Sequence, residues 1–265
     1  MELKNKKVLI TGGSAGIGKA IVKELIRHGV KDIAIVGRKK EHLEALKAEL
    51  KSVHILNILT IQADVSAVED LNKVVSAIPQ EWGRLDILIN SAGVVSAGLL
   101  TEQSDEDIIG QININFTGLV LLTKKLISLL QKSNGGAIVN ISSGYGYIAM
   151  PFYSVYAATK AAVAQFSDAM RRELYQYPLH VMTVYPSATD TGMMKTAVVE
   201  KMDSPEDVAK ATITGLVEKK INVILGGKKT EEQVKLNFLE PRKFDQIAAD
   251  NFEALRERTK NHRSM

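Results

Sequence analysis

A tyrosine and a lysine, Tyr156 and Lys160, stand four residues apart in the second half of the chain. On a helix this spacing puts the two side chains on one face, where they can converge. A phenol with its ordinary pKa of about 10 exchanges protons poorly at neutral pH, but a neighbouring ammonium group favours the phenolate and lowers that pKa. We therefore expect Tyr156 to act as a general acid or base, with Lys160 lowering its pKa.

A serine hydroxyl thirteen residues before Tyr156, that of Ser143, could complete this chemistry. During reduction of a carbonyl group, Tyr156 would donate a proton to the developing alkoxide, and during oxidation of an alcohol it would accept one. Ser143 would hydrogen-bond the carbonyl oxygen, where negative charge grows. Each residue also has a structural alternative: Tyr156 could be a core residue, Lys160 a solvated surface lysine and Ser143 the end of a strand.

A glycine-rich segment, residues 11–18, directly follows an apolar run and precedes a stretch of helical periodicity. Gly12 permits a tight turn, Gly16 lets the backbone approach a pyrophosphate, and Gly18 lets helix and strand pack closely. The amides at the positive end of the helix then face the phosphates of a dinucleotide. A glycine-rich turn without a ligand is the alternative. The predicted cofactor contacts in this segment are Gly12, Ser14, Gly16, Ile17 and Gly18.

The residues after the second predicted strand indicate which dinucleotide is bound. NAD-specific sites have a carboxylate there, which binds the 2′-hydroxyl of the ribose. Here Arg38 begins a run of three basic residues, and the first carboxylate is Glu41. Because an arginine can fork onto a phosphate and stack on adenine, we expect a preference for NADP(H), with NAD(H) or a solvated basic cluster as alternatives. Asp64 and Val65, after the third predicted strand, are expected beside the adenine, with Asp64 hydrogen-bonded to its amino group.

Five motifs, in their order and spacing, resemble those of the short-chain dehydrogenases/reductases, and the resemblance covers about residues 6–225. The motifs are the glycine-rich segment, the Asn-Ser-Ala-Gly sequence of residues 90–93, Asn115, Ser143, and the Tyr-x-x-x-Lys pair of Tyr156 and Lys160. The resemblance implies a nicotinamide cofactor and a catalytic set of Asn115, Ser143, Tyr156 and Lys160. The positive nicotinamide of the oxidised cofactor would also lower the pKa of Tyr156.

The same resemblance implies further roles. Lys160 would grip the nicotinamide ribose, Thr191 would contact the nicotinamide carboxamide, and Asn115 would hold a water for proton relay. The remaining implied cofactor contacts are Asn90, Ala92, Gly93, Tyr156 and Pro186. The family usually has a glycine after this proline, whereas this chain has Ser187. A homodimer or homotetramer is expected from the same resemblance.

Short apolar runs alternate with segments of helical periodicity along most of the chain. This alternation predicts an α/β fold, a Rossmann-type doubly wound parallel sheet of seven strands with helices on both faces. The predicted strands are 8–10, 33–36, 58–63, 87–89, 137–141, 181–184 and 223–225. The predicted helices include 17–27, 41–51, 68–78 and a buried helix within 108–130. Ser204 is predicted to cap a further helix from Pro205 to about Lys220.

The last forty residues are not explained by the family. We expect residues 1–225 to form the dinucleotide-binding and catalytic domain, and residues 226–265 to form a C-terminal helical extension packed on that domain or on a partner subunit. Phe244 and Phe252 belong to an apolar series at helical spacing in this extension. Basic residues near its end leave contact with a membrane surface as a weaker alternative.

The residues that flank the predicted catalytic group indicate the kind of substrate. Tyr145 and Tyr153 precede Tyr156, and Met193 follows Thr191. With Ser143 and Tyr156 they predict an aromatic and methionine-containing lining, which suits an apolar or bulky ketone or alcohol. The alternative is that these side chains pack the core or a subunit interface.

Composition limits the other function classes. The chain has 265 residues, 45% of them hydrophobic and 24% charged, no cysteine and a net charge of +4. These values exclude a disordered chain, a disulfide scaffold and a thiolate metal site, and we expect no metal. The small, scattered basic excess argues against nucleic-acid binding. With no targeting segment evident, we expect a cytoplasmic enzyme, and a catalytically silent cofactor-binding sensor or scaffold is the alternative.

Overall fold

The computed structural model describes residues 1–50, 56–199 and 201–265, and within them the predicted parallel sheet is present. Its strands lie in the order β3-β2-β1-β4-β5-β6-β7, and every neighbouring pair is parallel. The strands are β1 (Lys7–Thr11), β2 (Asp32–Gly37), β3 (Asn57–Gln62), β4 (Ile87–Asn90), β5 (Gly136–Ile141), β6 (Leu179–Tyr185) and β7 (Asn222–Ile224). The chain therefore has the predicted doubly wound Rossmann-type fold.

The strand order reverses between β1 and β4, and this reversal locates the site. β1 pairs with β2 on one side and with β4 on the other, so the connections leave β1 and β4 toward opposite ends of the sheet. β4 and β5 are buried along their whole length, as expected for parallel strands covered on both faces. In such sheets a crevice opens beyond the carboxyl ends of the strands at the reversal.

Helices cover both faces of the sheet. α1, α2 and α7 bury their apolar residues in one core, and α3, α5 and α6 bury theirs in the other. A π-helical turn, Asn113–Thr117, joins α4 to α5. The helices are α1 (Gly16–Arg27), α2 (Lys40–Leu50), α3 (Val68–Trp82), α4 (Asp105–Ile112), α5 (Gly118–Leu130), α6 (Ser154–Glu173), α7 (Pro205–Val217), α8 (Gly227–Leu239), α9 (Pro241–Asp250) and α10 (Phe252–Thr259).

Two helices end at positions that differ from the predictions. α3 continues through Pro79 to Trp82 and ends where Gly83 adopts φ +70°, because a proline in the last turn removes only one backbone hydrogen bond. α7 ends at Val217, because Lys219 adopts φ +57° and the following amide donates to the Gly215 carbonyl. Residue 51, the end of the second predicted helix, lies outside the described residues.

The predicted cap of α7 is confirmed. The amide of Asp207 donates to Ser204 Oγ at 3.0 Å, and Pro205 occupies the first helical position, where its missing amide hydrogen costs nothing. The cap satisfies a backbone donor that would otherwise lack a partner.

Among the described residues, one helical stretch, Asp105–Leu130, is long and apolar enough to cross a membrane by length and composition alone. Core helices of soluble proteins meet the same criterion. In this fold Leu122, Leu126 and Leu130 are buried against α3 and the sheet, as predicted for a buried helix.

The predicted C-terminal helical extension consists of α8, α9 and α10. Phe244 and Leu255 are buried, and the Phe252 ring lies 4.9 Å from that of Phe152, whereas Phe238 is 84% exposed. After α10 the chain returns to the carboxyl edge of the sheet, where Arg263 forms an antiparallel bridge with Ser96. The end of the extension therefore lies beside the predicted site.

Candidate active site

The glycine-rich segment forms a cradle between β1 and α1. Gly12 has φ +66°, and a Cβ there would lie 2.9 Å from the Ala92 backbone. A Cβ on Gly18 would lie 2.2 Å from the Gly12 carbonyl oxygen. Ala15, which precedes α1, offers no side-chain acceptor to the first helical amides, so the amides of the first turn can bind an anion. This geometry fits the pyrophosphate of a dinucleotide.

The end of β2 offers groups that fit a phosphate on the ribose. Arg38 is exposed directly after the strand, and its guanidinium forms no ion pair with any other described residue. Gln62 Nε2 donates to the Arg38 carbonyl at 3.2 Å, which fixes the backbone there. A Cβ on Gly37 would lie 2.8 Å from Ser14 Oγ, so the Ser14 hydroxyl lies against the same strand end. A cation and a hydroxyl therefore flank this position.

Asp64 and Val65 lie after β3 at the same edge of the sheet. The Asp64 amide donates to Asp70 at 2.8 Å, and Asp64 Oδ1 accepts from the amide and the hydroxyl of Ser66, at 2.9 and 2.6 Å. Val65 is buried, and its carbonyl would be 2.2 Å from a Cβ on Gly118 of α5. The Asp64 carboxylate is thus held in one orientation, and its contact with adenine stays a prediction.

The side-chain amide of Asn90 donates hydrogen bonds to other residues of the protein. Its side chain is 2% exposed, and Nδ2 donates to Asn140 Oδ1 at 2.8 Å and to Thr123 Oγ1 at 3.2 Å. Asn140 in turn donates to Ser167 of α6 at 2.8 Å. The network ties β4 to β5, α5 and α6, so the Nδ2 group of Asn90 supports the sheet, whereas its buried Oδ1 has no partner among the described residues.

The other predicted cofactor residues surround the cradle. The amide of Ala92 donates to Thr11 Oγ1 at 3.2 Å, and the Pro186 carbonyl accepts from the Gly144 amide at 2.9 Å. A Cβ on Gly16 would lie 3.2 Å from the Thr191 side chain, so Thr191 lies against the start of α1. Ser187, the departure from the family pattern, donates to the carboxylate of Asp203.

Ser143, Tyr156 and Lys160 converge at the carboxyl end of β5. Ser143 follows this strand in an extended conformation, Tyr156 lies in the first turn of α6, and Lys160 lies one turn later. Tyr156 is hydrogen-bonded to Ser143, and Lys160 Nζ lies 5.7 Å from the centre of the Tyr156 ring. Lys160 Nζ donates to the Ile141 carbonyl at 3.1 Å. A Cβ on Gly93 would lie 3.3 Å from this nitrogen, so Gly93 leaves room for it.

Burial shifts the pKa values of Tyr156 and Lys160 in opposite directions. Burial raises the pKa of Tyr156 to about 12, although the hydrogen bond from Ser143 acts in the opposite direction. Burial lowers the pKa of Lys160 to about 8. Burial of the phenol dominates its pKa and the Lys160 ammonium donates to the Ile141 carbonyl, so the lowering of the Tyr156 pKa by Lys160 and the nicotinamide stays a prediction.

Asn115 lies in the π-helical turn, and both ends of its side-chain carboxamide form hydrogen bonds to other residues of the protein. Oδ1 accepts from the Val94 amide at 2.8 Å, while Nδ2 donates to the Val94 carbonyl at 2.9 Å and to Thr159 Oγ1 at 3.1 Å. The side chain joins the loop after β4 to α6, on which Tyr156 and Lys160 lie. Its predicted role in holding a water stays a prediction.

Two of the predicted substrate residues, Tyr145 and Tyr153, adjoin Tyr156. The Tyr145 and Tyr153 rings lie 6.2 and 6.3 Å from the Tyr156 ring and 4.7 Å from each other. Two other aromatic residues of this loop pack elsewhere: the Tyr147 ring stacks on Tyr185 at 4.1 Å, and the Phe152 ring contacts the C-terminal extension.

His262, a residue that the sequence did not point to, also contacts one of the aromatic residues beside Tyr156. Its side chain is 3% exposed, and Nδ1 lies 2.7 Å from the Tyr153 hydroxyl. Nε2 lies 3.1 Å from the Met193 carbonyl. A lone histidine beyond the family motifs carries no signal of its own, so only the three-dimensional structure brings it to the site.

Comparison with known proteins agrees with this geometry. The family described as short chain dehydrogenase matches residues 6–202. The NADP-dependent 3-hydroxy acid dehydrogenase of Schizosaccharomyces pombe is 28% identical over 239 residues, which cover 84% of this chain and 91% of the relative.

Two solved structures share the fold. A short-chain dehydrogenase from Sphingobium yanoikuyae in complex with NADPH has a TM-score of 0.80 and 30% identity, covering 91% of this chain and 95% of its own. A short chain dehydrogenase from Burkholderia cenocepacia in complex with NADP has a TM-score of 0.75 and 28% identity, covering 84% of this chain and 96% of its own.

Proposed function

The chain belongs to the short-chain dehydrogenase/reductase family of oxidoreductases, and from this premise we propose that it interconverts an apolar or bulky carbonyl compound and its alcohol with NADP(H). The observation that carries the proposal is the convergence of Ser143, Tyr156 and Lys160 at the carboxyl end of β5. They lie on the same sheet edge as the glycine cradle, so a dinucleotide and a carbonyl group could meet there.

When bound, NADPH supplies the hydride that the carbonyl carbon accepts. In the proposed reduction, Ser143 donates a hydrogen bond to the carbonyl oxygen as negative charge grows on it. Tyr156 donates its proton to that oxygen, and in the reverse direction it accepts the proton of the alcohol. Lys160 carries a charge that stabilises the phenolate left behind, and its pKa, lowered to about 8 by burial, suits proton exchange near neutral pH.

Arg38 and Ser14 support the choice of NADP(H). The exposed guanidinium has no carboxylate partner among the described residues, and the Ser14 hydroxyl lies beside the same strand end. A phosphate on the ribose could accept hydrogen bonds from both groups. The Schizosaccharomyces pombe relative is named as NADP-dependent, and the two solved structures are complexes with NADP and NADPH, which supports the same choice. Use of NAD(H) is the alternative.

The lining supports an apolar substrate. The rings of Tyr145 and Tyr153 adjoin Tyr156, and aromatic surfaces favour apolar ligands that exclude water from the reacting atoms. A homodimer or homotetramer in the cytoplasm also belongs to the proposal, and size-exclusion chromatography and cell fractionation test those two parts.

The test is oxidation of NADPH by a panel of ketones and diketones, with 3-hydroxy acids assayed in the reverse direction. The wild type should turn over at least one apolar ketone, and Tyr156→Phe should not. Binding of NADPH without turnover of any panel member would instead favour the alternative, a cofactor-binding sensor or scaffold.

A further inference from the structure

The last residues of the chain, 261–265, form a strap across the loop that follows β4. The Ala97 amide donates to the His262 carbonyl at 2.9 Å, and the Ser264 amide donates to the Val95 carbonyl at 2.8 Å. The Val95 amide also donates to Ser264 Oγ at 3.0 Å. The strap thus pairs with this loop through one isolated antiparallel bridge, between Ser96 and Arg263. Asn115 holds the preceding residue of the same loop, Val94, through its amide and its carbonyl, so residues 94–97 are fixed by both Asn115 and the strap.

An ion pair anchors the strap to α4. Arg263 donates from Nε and Nη2 to the two oxygens of Asp107, at 2.7 and 2.8 Å. Asp107 is 8% exposed and also accepts from the Ser96 hydroxyl at 2.7 Å. A forked pair to a nearly buried carboxylate fixes direction as well as distance. The ion pair therefore also fixes the position of the neighbouring residue, His262.

His262 bridges two walls of the proposed substrate cleft. A neutral imidazole with its proton on Nε2 donates a hydrogen bond from Nε2 to the Met193 carbonyl. Its Nδ1 then accepts a hydrogen bond from the Tyr153 hydroxyl. Tyr153 lies at the start of α6, whereas Met193 lies in the segment between β6 and α7. The imidazole therefore spans from the element that carries Tyr156 to the segment that follows Thr191.

The hydrogen bond between Tyr153 and His262 also fixes the orientation of the Tyr153 ring relative to Tyr156. With its hydroxyl held by His262, the Tyr153 ring packs 4.7 Å from Tyr145 and 6.3 Å from Tyr156. A phenol released from this bond could rotate about its side-chain torsions, and the wall beside Tyr156 would lose its shape.

We propose that His262 is a positioning residue that holds Tyr153 and the Met193 segment in place, so that the strap closes the substrate cleft and sets the substrates it admits. This inference rests on the proposed function. The ligand concerned is the apolar part of the carbonyl substrate, because the group that His262 orients is an aromatic ring. NADPH is expected at the glycine cradle, and none of the hydrogen bonds of the strap described above involves residues 11–18.

The experiment compares His262→Ala, Tyr153→Phe and the double variant with wild type, with Lys260→Ala, an exposed neighbour outside the strap, as the control. Each single variant should raise KM for a compact apolar ketone about three- to tenfold, the range that loss of one net hydrogen bond produces, while kcat changes less. His262→Ala removes the bond to Tyr153 as well as the bond to the Met193 carbonyl, so adding Tyr153→Phe removes nothing further and the double variant should match His262→Ala within about twofold. The dissociation constant of NADPH should not change.

Two results would overturn the inference while leaving the proposed function intact: an unchanged KM in His262→Ala, or KM effects that multiply in the double variant. A wild type that turns over no ketone fails the proposed function, and the inference falls with it. Amide hydrogen exchange gives a readout independent of turnover. The Ala97 amide should exchange at least about tenfold faster in His262→Ala than in Lys260→Ala, and equal exchange would also overturn the inference.

Discussion

The hydroxyl of Tyr153 lies 2.7 Å from Nδ1 of His262, a residue 109 positions away in the sequence. This contact separates the roles of two neighbouring tyrosines. Tyr153 is bound to the end of the chain, and burial raises its pKa well above the ordinary value. Tyr156 instead bonds to Ser143 and lies beside a buried lysine. Of the two phenols, Tyr156 is therefore the one that we propose exchanges a proton with substrate.

Removal of the Tyr156 hydroxyl tests this division. Tyr156→Phe keeps the ring but loses the proton donor, so kcat should fall by about 10²–10⁴-fold, the usual contribution of general acid–base catalysis. Affinity for NADPH should stay within about twofold, since the phenylalanine ring fills the same space. Steady-state kinetics and fluorescence titration measure the two quantities. Tyr175→Phe, at a phenol that is 87% exposed on the surface, is the matched control, and equal kcat values for both variants would contradict the assignment.

Arg38 should determine the preference between the two cofactors. Arg38→Ala would remove the charged hydrogen bond that we propose Arg38 donates to the ribose phosphate, so KM for NADPH should rise about 10- to 100-fold. KM for NADH should change less than about threefold, because NADH has no phosphate at that position. Arg242→Ala, at an exposed arginine of α9, controls for a general loss of positive charge. An equal rise of KM for both cofactors would show that Arg38 does not read the phosphate.

Burial of Lys160 should make stability depend on pH. The pKa of Lys160 in the folded protein is lowered from the ordinary value of 10.5 to about 8. Between these values the unfolded chain holds a proton that the folded protein has released, so the free energy of unfolding gains a contribution that rises with pH. Lys160→Met lacks this contribution.

Chemical denaturation at several pH values measures the effect. The stability of wild type relative to Lys160→Met should increase from about pH 8 to about pH 10 and be flat below pH 8. Parallel curves across this range would mean that Lys160 keeps an ordinary pKa in the folded protein.

The ion pair between Arg263 and Asp107 should stabilise the protein in a pH-dependent way. Hydrogen bonds from Arg263 hold the pKa of Asp107 below its ordinary value of 3.8. The stabilisation is therefore complete above that value and is lost as pH falls through the lower folded pKa. Arg263→Ala should lower the free energy of unfolding at pH 7, because Asp107 loses the cation that favours its charged form, and the loss should be modest because the Arg263 side chain is exposed.

Urea denaturation of wild type and Arg263→Ala at pH 7 and near pH 3 checks this prediction. The difference in unfolding free energy should shrink at the lower pH. Arg256→Ala, at an exposed arginine of α10, should show no such difference at either pH. A difference that persists unchanged at low pH would mean that packing of the Arg263 side chain, and not the charge of Asp107, stabilises the strap.

Local sequence signals predicted most of the fold. The apolar runs located the strands to within about two residues, because parallel strands buried on both faces require such runs. The glycine spacing at Gly12 and Gly18 and the four-residue spacing of Tyr156 and Lys160 predicted the cradle and the catalytic face. These features depend on neighbouring residues, so they can be read from a sequence.

Other features depend on contacts between distant segments. The side chain of Asn90 points into a buried network, and Lys160 donates to a carbonyl of β5, so both depend on how strands and helices pack. The pKa of Tyr156 follows from its burial, which residue spacing does not reveal. His262 reaches the cleft because Arg263 pairs with Asp107, a contact across 156 positions that no local pattern predicts.

The backbone of Phe152 ties the loop before α6 to the C-terminal extension. Phe152 adopts φ +74°, which costs a residue with a side chain about 1–3 kcal/mol, so the conformation persists only where packing enforces it. That packing comes from Phe252, at 4.9 Å between ring centres, and from the Gly98 amide, which donates to the Phe152 carbonyl at 2.8 Å. The strained backbone of Phe152 is therefore held in place jointly by the loop after β4 and by the C-terminal extension.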